Sequence, residues 1–225
     1  MKTPFVWLGS GRAKKWAVGD KARLLDQAAK AGLPVPAGGI LLDEFFQLVL
    51  AEGVVVAEDG RFSAPDPDWL AETLFDGIRF PRLDKPTAVH AVSSCASPCL
   101  DIDLNDPAQL ADALCSLWSQ PAPTDRRDLL IMEMVTVSER GSARNEPTEA
   151  QDIIQVDAAP PSSPLYLPHL RGWQRPNPSL PPYAQRLQRL LRGVRRTFGL
   201  AKWEITWADD GRICWLLQIT LHPDS

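Results

Sequence analysis

The chain has no apolar run approaching the roughly 20 residues that span a bilayer, so a transmembrane role is not expected. Nor does it have an excess of positive charge. Its net charge of −4 and pI near 5.4 give no general attraction to nucleic acid or anionic lipid. The opening MKTPFVWLGSGRAKKW lacks the apolar core of a signal peptide, and a cytoplasmic location is the expectation. Histidine is scarce, with only His90, His169 and His222. Of the four cysteines, Cys95 and Cys99 lie four apart, but no second pair or nearby histidine completes a zinc set. Free thiols in a reducing compartment are expected. No internal repeat is visible.

What is present is an ordinary globular composition, 44% hydrophobic and 23% charged over 225 residues, enough for a sizeable core without staples. Proline is the exception: 21 residues, concentrated between Pro160 and Pro182. That stretch has proline too often for a helix or central strand and reads as an extended connector at about 158–182.

Local patterns predict the elements. Asp20 can cap a helix with Leu24, Leu25 and Ala28 as its stripe and Gly32 at its end. LPVPAGGILL reads as a turn and a short buried strand. Asp43 is expected to cap a second helix with Phe45, Phe46, Val49 and Leu50 inward, and a third is expected from Asp68 to Ile78. TAVHAVSS suits a strand. Asp106-Pro107 opens a helix with Leu110, Leu114, Leu117 and Trp118 on one face.

Further on, DLLIMEMVTV reads as a strand buried on both faces and QDIIQV as another. Tyr183, Leu187, Leu190, Leu191, Val194 and Phe198 mark a helical face whose other side carries Arg189, Arg192 and Arg196, read as solvated. Trp203, Ile205 and Trp207 alternate with polar residues in a hairpin turning at Gly211. The mixture predicts an α+β protein in two lobes, divided as 1–120 and 121–225.

Gly19 to Pro36 reads GDKARLLDQAAKAGLPVP. Without a gap it resembles the opening motif of the phosphoenolpyruvate synthase and pyruvate phosphate dikinase family, G-G-K-x-x-N-L-x-E-L-x-x-A-G-(L/F)-P-V-P. Ile131-Met132-Glu133-Met134-Val135 is similar to the family's V-Q-E-M-V. Phe198-Gly199, Glu204-Ile205-Thr206-Trp207-Ala208 and Leu216-Leu217-Gln218-Ile219-Thr220 resemble its closing (F/Y)-G-x-P-x-D-(I/V)-E-W-A and L-L-Q-x-R-P. The resemblance runs from about Phe5 to Gln218 and implies a shortened two-lobed ATP-grasp fold that binds ATP with magnesium.

The resemblance gives Lys21 the role of reaching the phosphates, Glu133 a place beside the adenine strand, Glu204 the magnesium, and Gln218 support of that site. The chain also departs from the pattern. Asp20 and Leu24 replace a glycine and an asparagine, and Asp20 is expected to set a negative charge near the phosphates. Ala91-Val92-Ser93-Ser94-Cys95 matches V-R-S-S-A with Val92 at the arginine position, and His90 is the nearest substitute. Thr206 and Thr220 replace a glutamate and an arginine, and the proline-rich connector replaces a glycine-rich segment.

No segment resembles the family's phosphohistidine carrier or its substrate barrel. The expectation is a stand-alone, degenerate nucleotide-binding module that assists phosphoryl transfer to a separate phosphocarrier. The alternative is a pseudoenzyme acting as a regulatory or protein-interaction module.

Overall fold

The computed structural model describes residues 4–92, 97–120, 126–145, 149–157, 163–199 and 201–222. The protein is α+β and divides into two compact units. One contains residues 1–23 and 37–134, the other 24–36 and 135–225. Cys95, Ser93 and Ser94 lie outside the described residues.

The first unit is built on a five-stranded antiparallel sheet of order β1-β2-β7-β5-β6. In chain order the protein's elements begin with β1 (Phe5–Trp7), α1 (Asp20–Lys30), β2 (Gly38–Leu41) and α2 (Asp43–Ala51). A small hairpin, β3 (Val56–Glu58) and β4 (Arg61–Ser63), leads to α3 (Pro67–Glu72). After α3 come β5 (Thr87–Ala91), β6 (Cys99–Ile102), α4 (Pro107–Trp118) and β7 (Leu129–Glu133).

β7 is buried on both faces along Leu129–Met132, as its unbroken apolar run requires. It pairs with β2 and β5, so the stretch DLLIME belongs to the first sheet. Gly38 is required where β2 meets it, because a Cβ there would lie 2.2 Å from the Ile131 carbonyl oxygen. Leu41, Val89, Leu129 and Ile131 share a core with Phe45, Phe46 and Val49 of α2 and with Leu110, Leu114 and Trp118 of α4. The expected third helix stops being α-helical at Glu72 and continues as one π-type turn over Thr73–Gly77, keeping Leu74, Phe75 and Ile78 buried.

Asp43 does not cap α2. Leu42 holds that position without a side-chain bond, and the Asp43 carboxylate instead accepts from the Arg127 N–H at 2.9 Å. The Asp43 N–H is satisfied by the buried Asp128 at 2.9 Å. Asp106 does cap α4, accepting from Ala108 and Gln109.

The second unit has its own five-stranded antiparallel sheet, of order β10-β9-β8-β11-β12. The strands are β8 (Glu139–Asn145), β9 (Gln151–Val156), β10 (Leu165–Pro168), β11 (Trp203–Asp209) and β12 (Cys214–Leu221), with α5 (Pro182–Phe198) before the last two. Ala143, Ile154, Trp203, Ile205, Trp207 and Ile219 are buried, as are Leu187, Leu190, Leu191 and Val194 of α5.

Residues 24–36 belong to this unit, and within it the Leu216 N–H donates to the Pro34 carbonyl at 2.8 Å. α1 therefore starts in one unit and ends in the other. It terminates at Gly32, with φ +81, where the Leu33 N–H reaches back to the Ala28 carbonyl.

The proline-rich segment is not wholly an extended connector. Leu165–Pro168 pairs with β9 as an edge strand, where a proline removes no interior ladder bond.

Candidate functional site

In the first unit, Lys21 stands half-buried in the opening turn of α1. Helix geometry leaves N–H groups unsatisfied there and gives that end a partial positive charge. The charge expected from Asp20 is partnered, because its carboxylate accepts from Arg23 Nε at 3.1 Å and Nη2 at 2.6 Å. His90, on β5, has its pKa held below the usual 6.5 by burial, and secondarily by the positive charge of Lys21. Its ring is therefore neutral near pH 7. It is a polar neighbour of Lys21 and not a replacement cation.

Val92 is buried at 5% exposure, and its N–H donates to the Asp128 carbonyl. The position corresponding to the family's arginine thus carries no charge. Glu133 closes β7, where Lys85 Nζ sits 3.1 Å from its carboxylate. Its N–H is taken by the Ala37 carbonyl and that of Met134 by the Pro86 carbonyl. Thr87 pairs with Glu133 and His90 with Leu130, so the side chains of Glu133 and His90 leave the sheet on opposite faces. Glu133 and the Lys21–His90 neighbourhood are not brought together.

In the second unit the β11–β12 ladder does gather the expected residues. Glu204 pairs with Thr220 and Thr206 with Gln218, with a bulge following in the register. Directly opposed residues of an antiparallel pair share a face. Glu204, Thr206, Gln218 and Thr220 therefore lie together, while Trp203, Ile205 and Ile219 fill the core on the other side. β8 extends the polar face, with Arg144 opposite Glu204 and Ser142 opposite Thr206.

The Glu204 side chain is about half exposed, at 53%, with His222 Nε2 at 3.8 Å. Arg144 is an exposed cation that sequence reasoning missed together with its whole strand. SERGSARN contains no β-branched or aromatic residue. Its signal is the alternation of buried Gly141, Ala143 and Asn145 with outward Arg140, Ser142 and Arg144.

The donors on this face are hard oxygens, as magnesium prefers, but they include a single carboxylate. Among the described residues no group of three or more His, Cys, Asp or Glu could hold a metal ion. Such a set does not make a dedicated all-protein magnesium cage.

No family model matches the chain, and no curated protein matches its sequence. Several solved structures are similar to it. A RimK domain ATP-grasp protein from Sphaerobacter thermophilus is 12% identical with a TM-score of 0.46, over 87% of this chain and 56% of that one. The D-alanine–D-alanine ligase of Bacillus anthracis complexed with ATP is 14% identical with a TM-score of 0.47, over 95% and 56%. The N5-carboxyaminoimidazole synthase of Aspergillus clavatus, solved with ADP, is 12% identical with a TM-score of 0.45, over 90% and 44%. The chain spans about half the length of the proteins it resembles.

Proposed function

We propose that the chain is a degenerate ATP-grasp nucleotide-binding module of the phosphoenolpyruvate synthase and pyruvate phosphate dikinase type, binding ATP with magnesium. The observation that carries the reading is the exposed polar face on which Glu204, Thr206, Gln218 and Thr220 meet across one hairpin, in the stretch whose motif resembles that family. Glu204 would hold the magnesium, with the Gln218 amide supporting it. Arg144, opposite Glu204 in register, adds a cation suited to phosphate. Lys21 would neutralise phosphate charge from the positive end of α1; Glu133, expected beside the adenine strand, leaves the sheet on the face opposite His90 and is not proposed as a contact. ATP bound with magnesium would supply an activated phosphoryl group for a separate acceptor, such as a phosphocarrier protein.

A second reading, a pseudoenzyme acting through protein contacts, is favoured by specific residues. Val92 is apolar and buried, and Thr206 and Thr220 cannot ionise. Loss of one preorganised charge costs on the order of 10²–10³ in rate, so three such losses weigh against efficient transfer even where binding survives.

Equilibrium dialysis with radiolabelled ATP, with and without magnesium, separates the two. Magnesium-dependent binding that weakens tenfold or more in Lys21→Ala and in Glu204→Gln supports the first reading. Equal binding by all three proteins refutes the assigned residues, and no binding by the wild type leaves the second reading.

A further inference from the structure

The sequence from Ala158 to Trp203 contains no aspartate or glutamate, although the whole chain has 28 of them. The same stretch holds seven arginines: 171, 175, 186, 189, 192, 195 and 196. Three have partners within the second unit. Arg186 pairs with the buried Asp209 and Arg195 with the buried Asp152. Arg192 donates to the carbonyls of Arg171, Gly172 and Gln174, the last at 2.9 Å. Arg171, Arg175, Arg189 and Arg196 are exposed and have no ion pair among the described residues.

Arg192 also fixes where these cations lie. Positions 189, 192 and 196 fall on one side of α5, so the bonds from Arg192 bring the loop Arg171–Arg175 alongside that side. The loop closes on itself, with the Gln174 N–H donating to the Arg171 carbonyl at 3.0 Å and the Arg171 N–H to Gln174 Oε1 at 3.3 Å. At its tip stands Trp173, 83% exposed, well beyond the next large hydrophobic, Leu100 at 55%. A tryptophan held outward by a bonded turn contributes no packing to the fold, and tryptophan and arginine dominate the energetics of protein interfaces.

We propose that this surface docks an acidic segment of a partner protein that presents an apolar side chain to Trp173. Four exposed cations with no ion pair among the described residues, beside one aromatic anchor, call for carboxylates flanking an apolar residue. The net charge of −4 works against long-range capture of any polyanion, an acidic segment included. At physiological salt the Debye length is about 8 Å, so recognition is confined to the patch itself. Single-stranded nucleic acid is normally held by several stacking aromatics along a basic groove, and this patch has one.

The test is fluorescence anisotropy with a labelled repeat peptide of sequence Glu-Glu-Leu-Glu. The wild type should bind it, more weakly as salt rises. Trp173→Ala and the double change Arg171→Glu with Arg175→Glu should each weaken binding tenfold or more. Arg189→Glu with Arg196→Glu, on the helix, should do the same. Arg192 is left in place because it holds the loop, and circular dichroism should match the wild type for every variant. No binding, or equal binding by all variants, overturns the proposal. So does tighter binding of a labelled oligothymidylate, which would reassign the surface to nucleic acid. Self-association lost in Trp173→Ala would overturn it in favour of a second copy of the chain.

Discussion

Arg186→Met should destabilise the second unit through the charge it leaves behind. The Asp209 side chain is 1% exposed and accepts from Arg186 Nε and Nη2, both at 2.7 Å, and from the Gly211 N–H at 2.9 Å. Removing the guanidinium leaves one backbone donor for a buried carboxylate. Breaking a buried pair by deleting one partner costs about 3–5 kcal/mol. The Arg186 side chain is 21% exposed, and water entering from that side relieves part of the penalty, so the lower end applies. At about 2–4 °C per kcal/mol for a protein of this size, a loss of roughly 3 kcal/mol lowers the melting midpoint by about 6–12 °C. Near-ultraviolet circular dichroism would follow it locally, because Tyr183 stacks on Trp207 with ring centroids 6.0 Å apart. The exposed Arg189→Met on the same helix is the control and should cost less than about 0.5 kcal/mol. A shift in Arg186→Met no larger than the control's would mean that the buried Asp209 does not depend on the guanidinium.

His90 is held below its unfolded pKa of 6.5 by burial and by Lys21. As pH falls below 6.5 the unfolded chain takes up this proton first, so stability drops from there down to the depressed folded value. Urea midpoints across that window should fall with pH in the wild type and fall less in His90→Gln; identical slopes would contradict the assignment. Burial pushes the Cys115 thiol up to about 11 and raises that of Cys214 as well. In a Cys95→Ser background at pH 8, both should react with a thiol reagent at least tenfold more slowly folded than unfolded; fast native labelling of either would be inconsistent with its burial. A Cβ on Gly141 would lie 2.0 Å from the Gln155 carbonyl oxygen, a backbone atom. Gly141→Ala should therefore cost about 1–3 kcal/mol by denaturant melting, and a neutral effect would place the β8–β9 contact wrongly.

Elements that announce themselves locally were legible in the sequence. Asp106-Pro107 begins α4 as its cap geometry requires, Leu187, Leu190, Leu191 and Val194 of the α5 stripe are buried while Tyr183 and Phe198 at its ends are half-buried, and Gly211 turns the last hairpin at φ +88. The alternation of Trp203, Ile205 and Trp207 in that hairpin was enough to turn Glu204 and Thr206 outward.

What was illegible depended on distant partners. β8 is strand only because β9 and β11 flank it, since its own residues have little strand preference. Asp43 looked like a cap, but Asp128 and Arg127, some 85 residues away, claim its groups. Lys85 is 48 residues from Glu133, and no spacing rule foretells that pair. The pairing of Asp20 with Arg23, by contrast, lay at a readable i,i+3 spacing.

Thermal unfolding with and without millimolar Mg-ATP tests whether this chain binds ATP with magnesium. A ligand that binds only the folded state, present at 100 times its dissociation constant, adds about 2.7 kcal/mol, or roughly 5–11 °C at this size. The wild type should show a magnesium-dependent rise of that order, and Lys21→Ala, binding at least tenfold more weakly, no more than about half of it. An unchanged midpoint at every nucleotide concentration, or an equal rise in both proteins, would contradict this expectation.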